Sequence, residues 1–193
     1  MTKARLEAFS DGVIAIIITI MVLELQMPHG AALADLRPLI PVLISYMMSF
    51  VYIGIYWANH HHLLQAVQRV DGRALWANLH LLFWLSLVPA TTAWMGETHF
   101  AEWPVALYGL VLLSAGVAYF ILSRSLIALH GQESVLATAV GADRKGRLSV
   151  ALYALAVPVA FANRWIACAV YVAVAAIWLV PDRRIEDRLR RDA

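Results

Sequence analysis

The residues of this sequence most able to do chemistry are ionisable side chains inside apolar stretches. Asp11 and Glu24 stand near the two ends of the first apolar run, and His60, His61 and His62 end the second. Ionisable groups inside apolar helices are costly and usually face protein or water. We therefore expect Asp11 to have a partner on a neighbouring helix, in a structural role, and Glu24 to reach the far end of its helix.

The three consecutive histidines invite a metal-site interpretation that their spacing argues against. Successive residues of an α-helix point about 100° apart, so three in a row cannot converge on one ion. Zinc sites place histidines at i and i+4, or combine them with cysteines and carboxylates. We expect the histidines to hydrogen-bond Ser10 and Asp11 instead, with Trp57 adding an indole N–H donor.

The composition predicts an all-α integral membrane protein. The 193 residues are 62% hydrophobic and only 15% charged, against about 45–50% apolar and 25% charged in soluble domains. A soluble fold of this length could not hide that much apolar surface, whereas lipid solvates it. Transmembrane helices would use most of the chain, so we expect no soluble catalytic domain, no enzyme activity and no nucleic-acid partner.

Six transmembrane helices are predicted. Their expected bounds are 4–26, 36–61, 74–96, 103–130, 148–162 and 165–180, each as an approximate range from apolar runs and helix breakers. Residues 132–147 read as a loop with room for a short interfacial helix. Residues 182–193 read as a charged cytoplasmic tail. The whole chain is one six-helix transmembrane domain in this interpretation.

The distribution of basic residues predicts the orientation. Thirteen of the 15 Lys and Arg residues fall on the same side of the membrane as the N-terminus, and only Arg37 and Arg164 fall on the other. By the positive-inside rule both termini are cytoplasmic. We therefore expect a multi-pass protein of the inner, or plasma, membrane, with the lipid bilayer as its constant partner.

One stripe of the first helix combines small and apolar residues with a single hydroxyl. At 3.6 residues per turn, Gly12, Ile16, Thr19, Ile20 and Leu23 share one face. Ordinary helix packing is one interpretation, with the Thr19 hydroxyl bonded to its own backbone. The other interpretation is a surface that lines a pore.

Three motifs carry a resemblance to a known family. The first helix opens with R-x-x-x-F-S-D, the second ends in W-x-x-H-H, and the third contains L-S-L-V-P. In this sequence they are Arg5, Phe9, Ser10 and Asp11; Trp57, His60 and His61; and residues 85–89. The sequence resembles bacterial members of the transmembrane protein 175 family, relatives of the lysosomal potassium channel.

The resemblance implies a potassium-favouring cation channel formed by a homotetramer. The first helix of each subunit would line the pore, with Ile16 at a hydrophobic constriction and Thr19, Ile20 and Leu23 in the next layers. Monovalent cations would be the permeant partners, and potassium would be held transiently near Thr19. The resemblance implies no re-entrant pore loop and no cofactor, and a T-V-G-Y-G filter sequence is absent from the chain. The R-x-x-x-F-S-D and W-x-x-H-H residues would be the scaffold that fixes the first helix.

A secondary transporter of a small ion or solute is the alternative. Transporters often show internal repeats and broken helices at mid-membrane. Pro41, Pro89 and Pro158 could kink helices, but the sequence shows no convincing repeat. An intramembrane enzyme would need a nucleophile, a base and metal ligands at one depth, and the sequence offers no such set.

Overall fold

All regular structure in the described part of the chain is helical. The computed structural model describes residues 2–28, 30–141 and 143–179. The elements are α1 (Lys3–Leu23), a 3₁₀ segment (Leu33–Leu39), α2 (Ile40–Gln65), α3 (Gly72–Ser86), α4 (Val88–Glu97), α5 (Glu102–His130), α6 (Val135–Val140), α7 (Arg144–Ala162) and α8 (Arg164–Leu179). The prediction of an all-α protein is confirmed.

The expected six spans are not matched by six long helices. Within the described residues, five helical stretches are long and apolar enough to cross a membrane. They are Lys3–Leu23, Leu33–Gln65, Gly72–Glu97, Glu102–His130 and Arg144–Ala162. The last apolar helix, Arg164–Leu179, has 16 residues, fewer than the roughly 20 of a typical spanning helix. By this criterion the described residues contain five candidate spans against the six predicted.

The third predicted span is two helices rather than one. Helix α3 ends at Ser86 and α4 begins at Val88, with Leu87 between them. Pro89 explains the break because it lacks the N–H that would bond the carbonyl four residues earlier. At the second position of α4 that missing donor costs nothing.

Other boundaries differ from the prediction by about one turn. Helix α1 ends at Leu23 rather than 26, and α7 starts at Arg144 rather than 148. The 3₁₀ segment precedes α2, and the short α6 lies inside the predicted loop at 132–147. The predicted charged tail at 182–193 lies outside the described residues.

Tyrosine hydroxyls bind the larger part of the subunit together. The Tyr52 hydroxyl on α2 donates to the Tyr171 carbonyl on α8 at 2.6 Å, and the Tyr153 hydroxyl on α7 donates to the Tyr52 hydroxyl at 3.1 Å. The Tyr171 hydroxyl donates to the Val105 carbonyl on α5 at 3.1 Å. All three tyrosines are buried. These bonds join α2, α5, α7 and α8, and each is strong because no water competes for the buried groups.

Helix α1 lies outside that four-helix group. It packs against α2, α3 and α4, while α5 packs against α3, α4, α7 and α8. Helix α2 therefore contacts both α1 and the tyrosine-linked bundle. One face of α1 is covered by its own subunit and the opposite face is not.

Two glycines of α5 give a matched test of the packing. A Cβ at Gly109 would overlap the Tyr171 hydroxyl, whereas a Cβ at Gly116 would meet Val150 Cγ2 at 3.5 Å, an ordinary contact. We expect Gly109→Ala to destabilise the fold by about 1–3 kcal/mol through overpacking. Gly116→Ala should be neutral or slightly stabilising, since alanine favours a helix. Thermal unfolding of both purified variants in detergent checks this, and equal melting temperatures would contradict it.

Candidate pore-lining helix and its anchors

Helix α1 has two opposite faces. One face is buried and packs on α2, α3 and α4; it consists of Leu6, Ser10, Ile14, Ile17 and Met21. The other face carries the stripe identified in the sequence, and all five stripe residues are exposed on the subunit. Ile16 is 59% exposed, Ile20 is 40% exposed and Leu23 is 81% exposed.

Thr19 is the only hydroxyl on this exposed stripe. Its Oγ1 donates to the Ile16 carbonyl at 2.8 Å, inside the same helix. The hydroxyl hydrogen is thereby used, and the lone pairs of Oγ1 are left on the exposed side of the helix. The geometry is that of an acceptor facing outward, which can bind a cation but offers little to an anion.

A buried relay fixes the N-terminal half of α1. Asn78 Nδ2 on α3 donates to Ser10 Oγ at 2.9 Å, and His60 Nε2 on α2 bonds Asn78 Oδ1 at 2.7 Å. Since the Asn78 oxygen accepts, His60 carries its proton on Nε2. Ser10, His60 and Asn78 are at most 1% exposed. The relay therefore joins three helices through groups that no water can satisfy.

The sequence prediction missed Asn78. We expected His60 to bond Ser10 or Asp11 directly, and this was wrong because the Asn78 amide stands between His60 and Ser10. The sequence did indicate that the Asn78 amide, which lies in the apolar helix α3, would have a hydrogen-bond partner, because buried polar groups need one. Nothing in the sequence indicated which partner it would take.

A second set of contacts lies one turn away and is partly exposed. Trp57 Nε1 donates to Asp11 Oδ1 at 3.1 Å, as expected from the sequence. His61 Nδ1 lies 3.3 Å from Glu7 Oε1, and His61 Nε2 lies 2.8 Å from Gln65 Nε2. The Trp57 and His61 rings stack with centroids 6.0 Å apart. The expectation that His61 bonds Asp11 was wrong, because His61 contacts Glu7 instead.

The remaining motif residues lie at the surface of the subunit. Arg5 and Phe9 are exposed, and Phe9 is 48% exposed. Arg5 makes no hydrogen bond or ion pair with the described residues of its own chain.

Within the described ranges, no three His, Cys, Asp or Glu side chains are grouped so that they could hold a metal ion.

Comparison with known proteins decides the family. Residues 5–89 match the family model described as the endosomal/lysosomal potassium channel TMEM175. A potassium channel of Chryseobacterium sp. strain P1-3 is 52% identical over 192 residues, covering 100% of both chains. The chain belongs to the TMEM175 family. The resemblance carried by the sequence motifs is thereby confirmed, and the family is one of channels rather than enzymes.

A solved structure and a vertebrate relative extend the TMEM175 match. The crystal structure of a lysosomal potassium-selective channel TMEM175 homologue from Chamaesiphon minutus is similar with a TM-score of 0.80 and 27% identity. It covers 92% of this chain and 96% of that one. The endosomal/lysosomal proton channel TMEM175 of Danio rerio is 30% identical over 132 residues, which are 66% of this chain but 24% of the relative.

Replacing Asn78 tests the buried relay. Asn78→Ala leaves Ser10 without its donor and His60 without its acceptor, so we expect a loss of about 2–4 kcal/mol in unfolding free energy. Ser86→Ala is the control, since Ser86 lies exposed on the same helix and bonds only the Phe83 carbonyl. Denaturation in detergent measures both variants. A loss no larger than that of the control would show that the relay contributes little.

Proposed function

We propose that this TMEM175 protein is a potassium-favouring cation channel whose pore is lined by α1. The observation that carries the proposal is the exposed stripe of α1, which lies opposite the face held by Ser10 and Asp11. Ile16 is 59% and Leu23 is 81% exposed on the described part of the subunit. Bacterial relatives are named potassium channels, which supports potassium as the permeant ion.

A homotetramer would bring four such stripes around one axis. Each layer then becomes a ring of identical side chains, and Ile16 would form a narrow apolar constriction. Constrictions of this kind gate by dewetting or by rotation of the helix. Helix α1 suits the role because it packs on α2, α3 and α4 along one side, which leaves its stripe free to face the axis.

Thr19 would help replace the water that a cation sheds in the constriction. Four outward oxygens, whose hydrogens are used within each helix, would offer a weak-field set of acceptors. Potassium is less costly to dehydrate than sodium, so such a site favours potassium moderately. A strong preference would require a fuller cage of carbonyls. The potassium near Thr19 would be transient, as permeation demands.

The proposed topology puts both termini in the cytoplasm of a bacterial cell, with the protein in the inner membrane. Both ends on one side require an even number of crossings. Helices α7 and α8 are joined only through Asn163 and form a hairpin, so α8 would return the chain. Its 16 residues extend about 24 Å, somewhat less than the roughly 30 Å hydrocarbon core.

The reversal potential of the purified protein in planar bilayers, under a potassium/sodium gradient, tests the proposal. We expect a value on the potassium side of zero. Clear currents that reverse at zero would refute a potassium preference. Saturable, coupled uptake in liposomes without channel current would favour the secondary transporter.

Ile16→Ser tests the apolar constriction. A small polar side chain would widen and wet the ring, so we expect about a tenfold higher cation flux and weaker discrimination between potassium and sodium. Ile121→Ser is the matched control, because Ile121 is 40% exposed on α5 and would face lipid. Ion flux from liposomes with equal protein content measures both. Wild-type flux in Ile16→Ser would place the constriction elsewhere.

Thr19→Val tests the hydroxyl layer. The change keeps the shape and removes the outward oxygen, so we expect the potassium-to-sodium permeability ratio to fall by about threefold, which corresponds in total to the loss of one weak polar interaction. Thr19→Ser keeps the hydroxyl and should keep the ratio. Reversal potentials of the two variants make the comparison, and an unchanged ratio in Thr19→Val would contradict a selective role.

A further inference from the structure

A cavity lies inside the subunit, away from the exposed stripe of α1. It has a volume of about 40 Å³, enough for about three water-sized groups. Helices α2, α5, α7 and α8 surround it, with Asp143 at the start of α7. Its lining consists of Tyr52, Ile55, Tyr56, Asn59, Gly116, Tyr119, Phe120, Asp143, Gly146, Ser149, Tyr153 and Trp178.

Asp143 brings an unpaired carboxylate to this cavity. It is half-buried and accepts one bond, from the Gly146 N–H at 3.2 Å. No Lys, Arg or His side chain of the described residues lies within ion-pair distance of it. Burial raises the pKa of Asp143, although the Gly146 N–H and the charges of Arg124 and Arg147 act in the opposite direction. A cation in the cavity would compensate the burial of the charge.

Two further oxygens at the cavity have no partner among the described residues. Asn59 uses its Nδ2 to bond the Ile55 carbonyl at 2.8 Å, which leaves Oδ1 without a donor. The Tyr56 hydroxyl makes no hydrogen bond to the described residues and lies 3.9 Å from where a Cβ on Gly116 would stand. With Asp143, these residues offer three oxygen acceptors, so a ligand rich in N–H donors fits them.

Aromatic rings complete the lining on other sides. Tyr119 is held by a bond from its hydroxyl to the Asn59 carbonyl at 3.2 Å, and Trp178 by a bond from Nε1 to Ser149 Oγ at 2.8 Å. Phe120 already holds the Arg124 guanidinium 5.1 Å from its ring centre. Aromatic faces attract cations through the ring quadrupole, so Tyr119 and Trp178 favour the same charge as the carboxylate.

We propose that this cavity binds a primary ammonium group, either of a small soluble amine or of an aminophospholipid headgroup. Its three N–H donors match the oxygens of Asp143, Asn59 and Tyr56, and its charge suits the aromatic walls. A quaternary ammonium lacks those donors. The site is separate from the α1 stripe, and its test does not depend on ion conduction.

Thermal unfolding of the full chain in detergent tests the proposal, with ethylammonium chloride as the soluble probe. Against potassium chloride of equal concentration, we expect ethylammonium to raise the melting temperature by about 3 °C or more near saturation, and tetramethylammonium to raise it less. Asp143→Asn should abolish the shift, since asparagine keeps an acceptor for Gly146 but loses the charge. Asp71→Asn is the matched control, because Asp71 caps α3 in the same way, through Ala74 N at 2.8 Å.

Tyr56→Phe is the second variant, in case Asp143→Asn does not fold. It keeps the ring and removes one acceptor, and we expect at least a threefold weaker response to ethylammonium. Short-chain phosphatidylethanolamine and phosphatidylglycerol identify the source: a shift with the first lipid alone points to a headgroup, and a shift with ethylammonium alone points to a soluble amine. The proposal is overturned if no amine shifts the wild-type protein, or if Asp143→Asn and Tyr56→Phe respond as the wild type does.

Discussion

The hydrogen-bond relay from His60 through Asn78 to Ser10 is the interaction on which the position of α1 depends. In a bilayer an apolar helix gains little by leaving lipid for protein, because lipid tails are as apolar as leucine. Polar bonds and close packing must therefore fix a helix in place. Helix α1 has one covered face, and its buried bonds lie in its N-terminal half. The C-terminal half, with Thr19 and Leu23, is held by packing alone on the buried side.

The relay also sets the rotation of α1 about its own axis. Ser10 lies about 120° around the helix from Ile16, and Asp11 bonds Trp57 one position further on. Two bonds to two neighbouring residues leave little freedom to rotate, so the stripe faces away from α2 and α3. Ser10 and Asp11 therefore bond the neighbouring helices, and the stripe residues form the face that stays exposed.

Helical periodicity was enough to predict the stripe, since Gly12, Ile16, Thr19, Ile20 and Leu23 share a face in any α-helix. The Trp57 bond to Asp11 was predictable because a carboxylate in an apolar helix needs a donor. The Asn78 relay was not, because a single amide does not reveal its partner 68 residues away. The division of the third span at Leu87 depended on whether Pro89 would kink a helix or begin one, and both fit a proline in an apolar run.

Helix α2 takes part in both polar systems of the subunit. Tyr52 and Tyr56 of α2 belong to the tyrosine-linked bundle and the cavity. Trp57 and His60, further along the same helix, hold α1, His60 through Asn78. Tyr56 and Trp57 are adjacent in sequence and point about 100° apart, so a rotation of α2 that moved one would move the other. Helix α2 is one physical connection from the cavity to α1, because the residues that hold α1 by hydrogen bonds from α2 begin one position after Tyr56. Helix α5 is another, since it lines the cavity and packs on α3, which packs on α1.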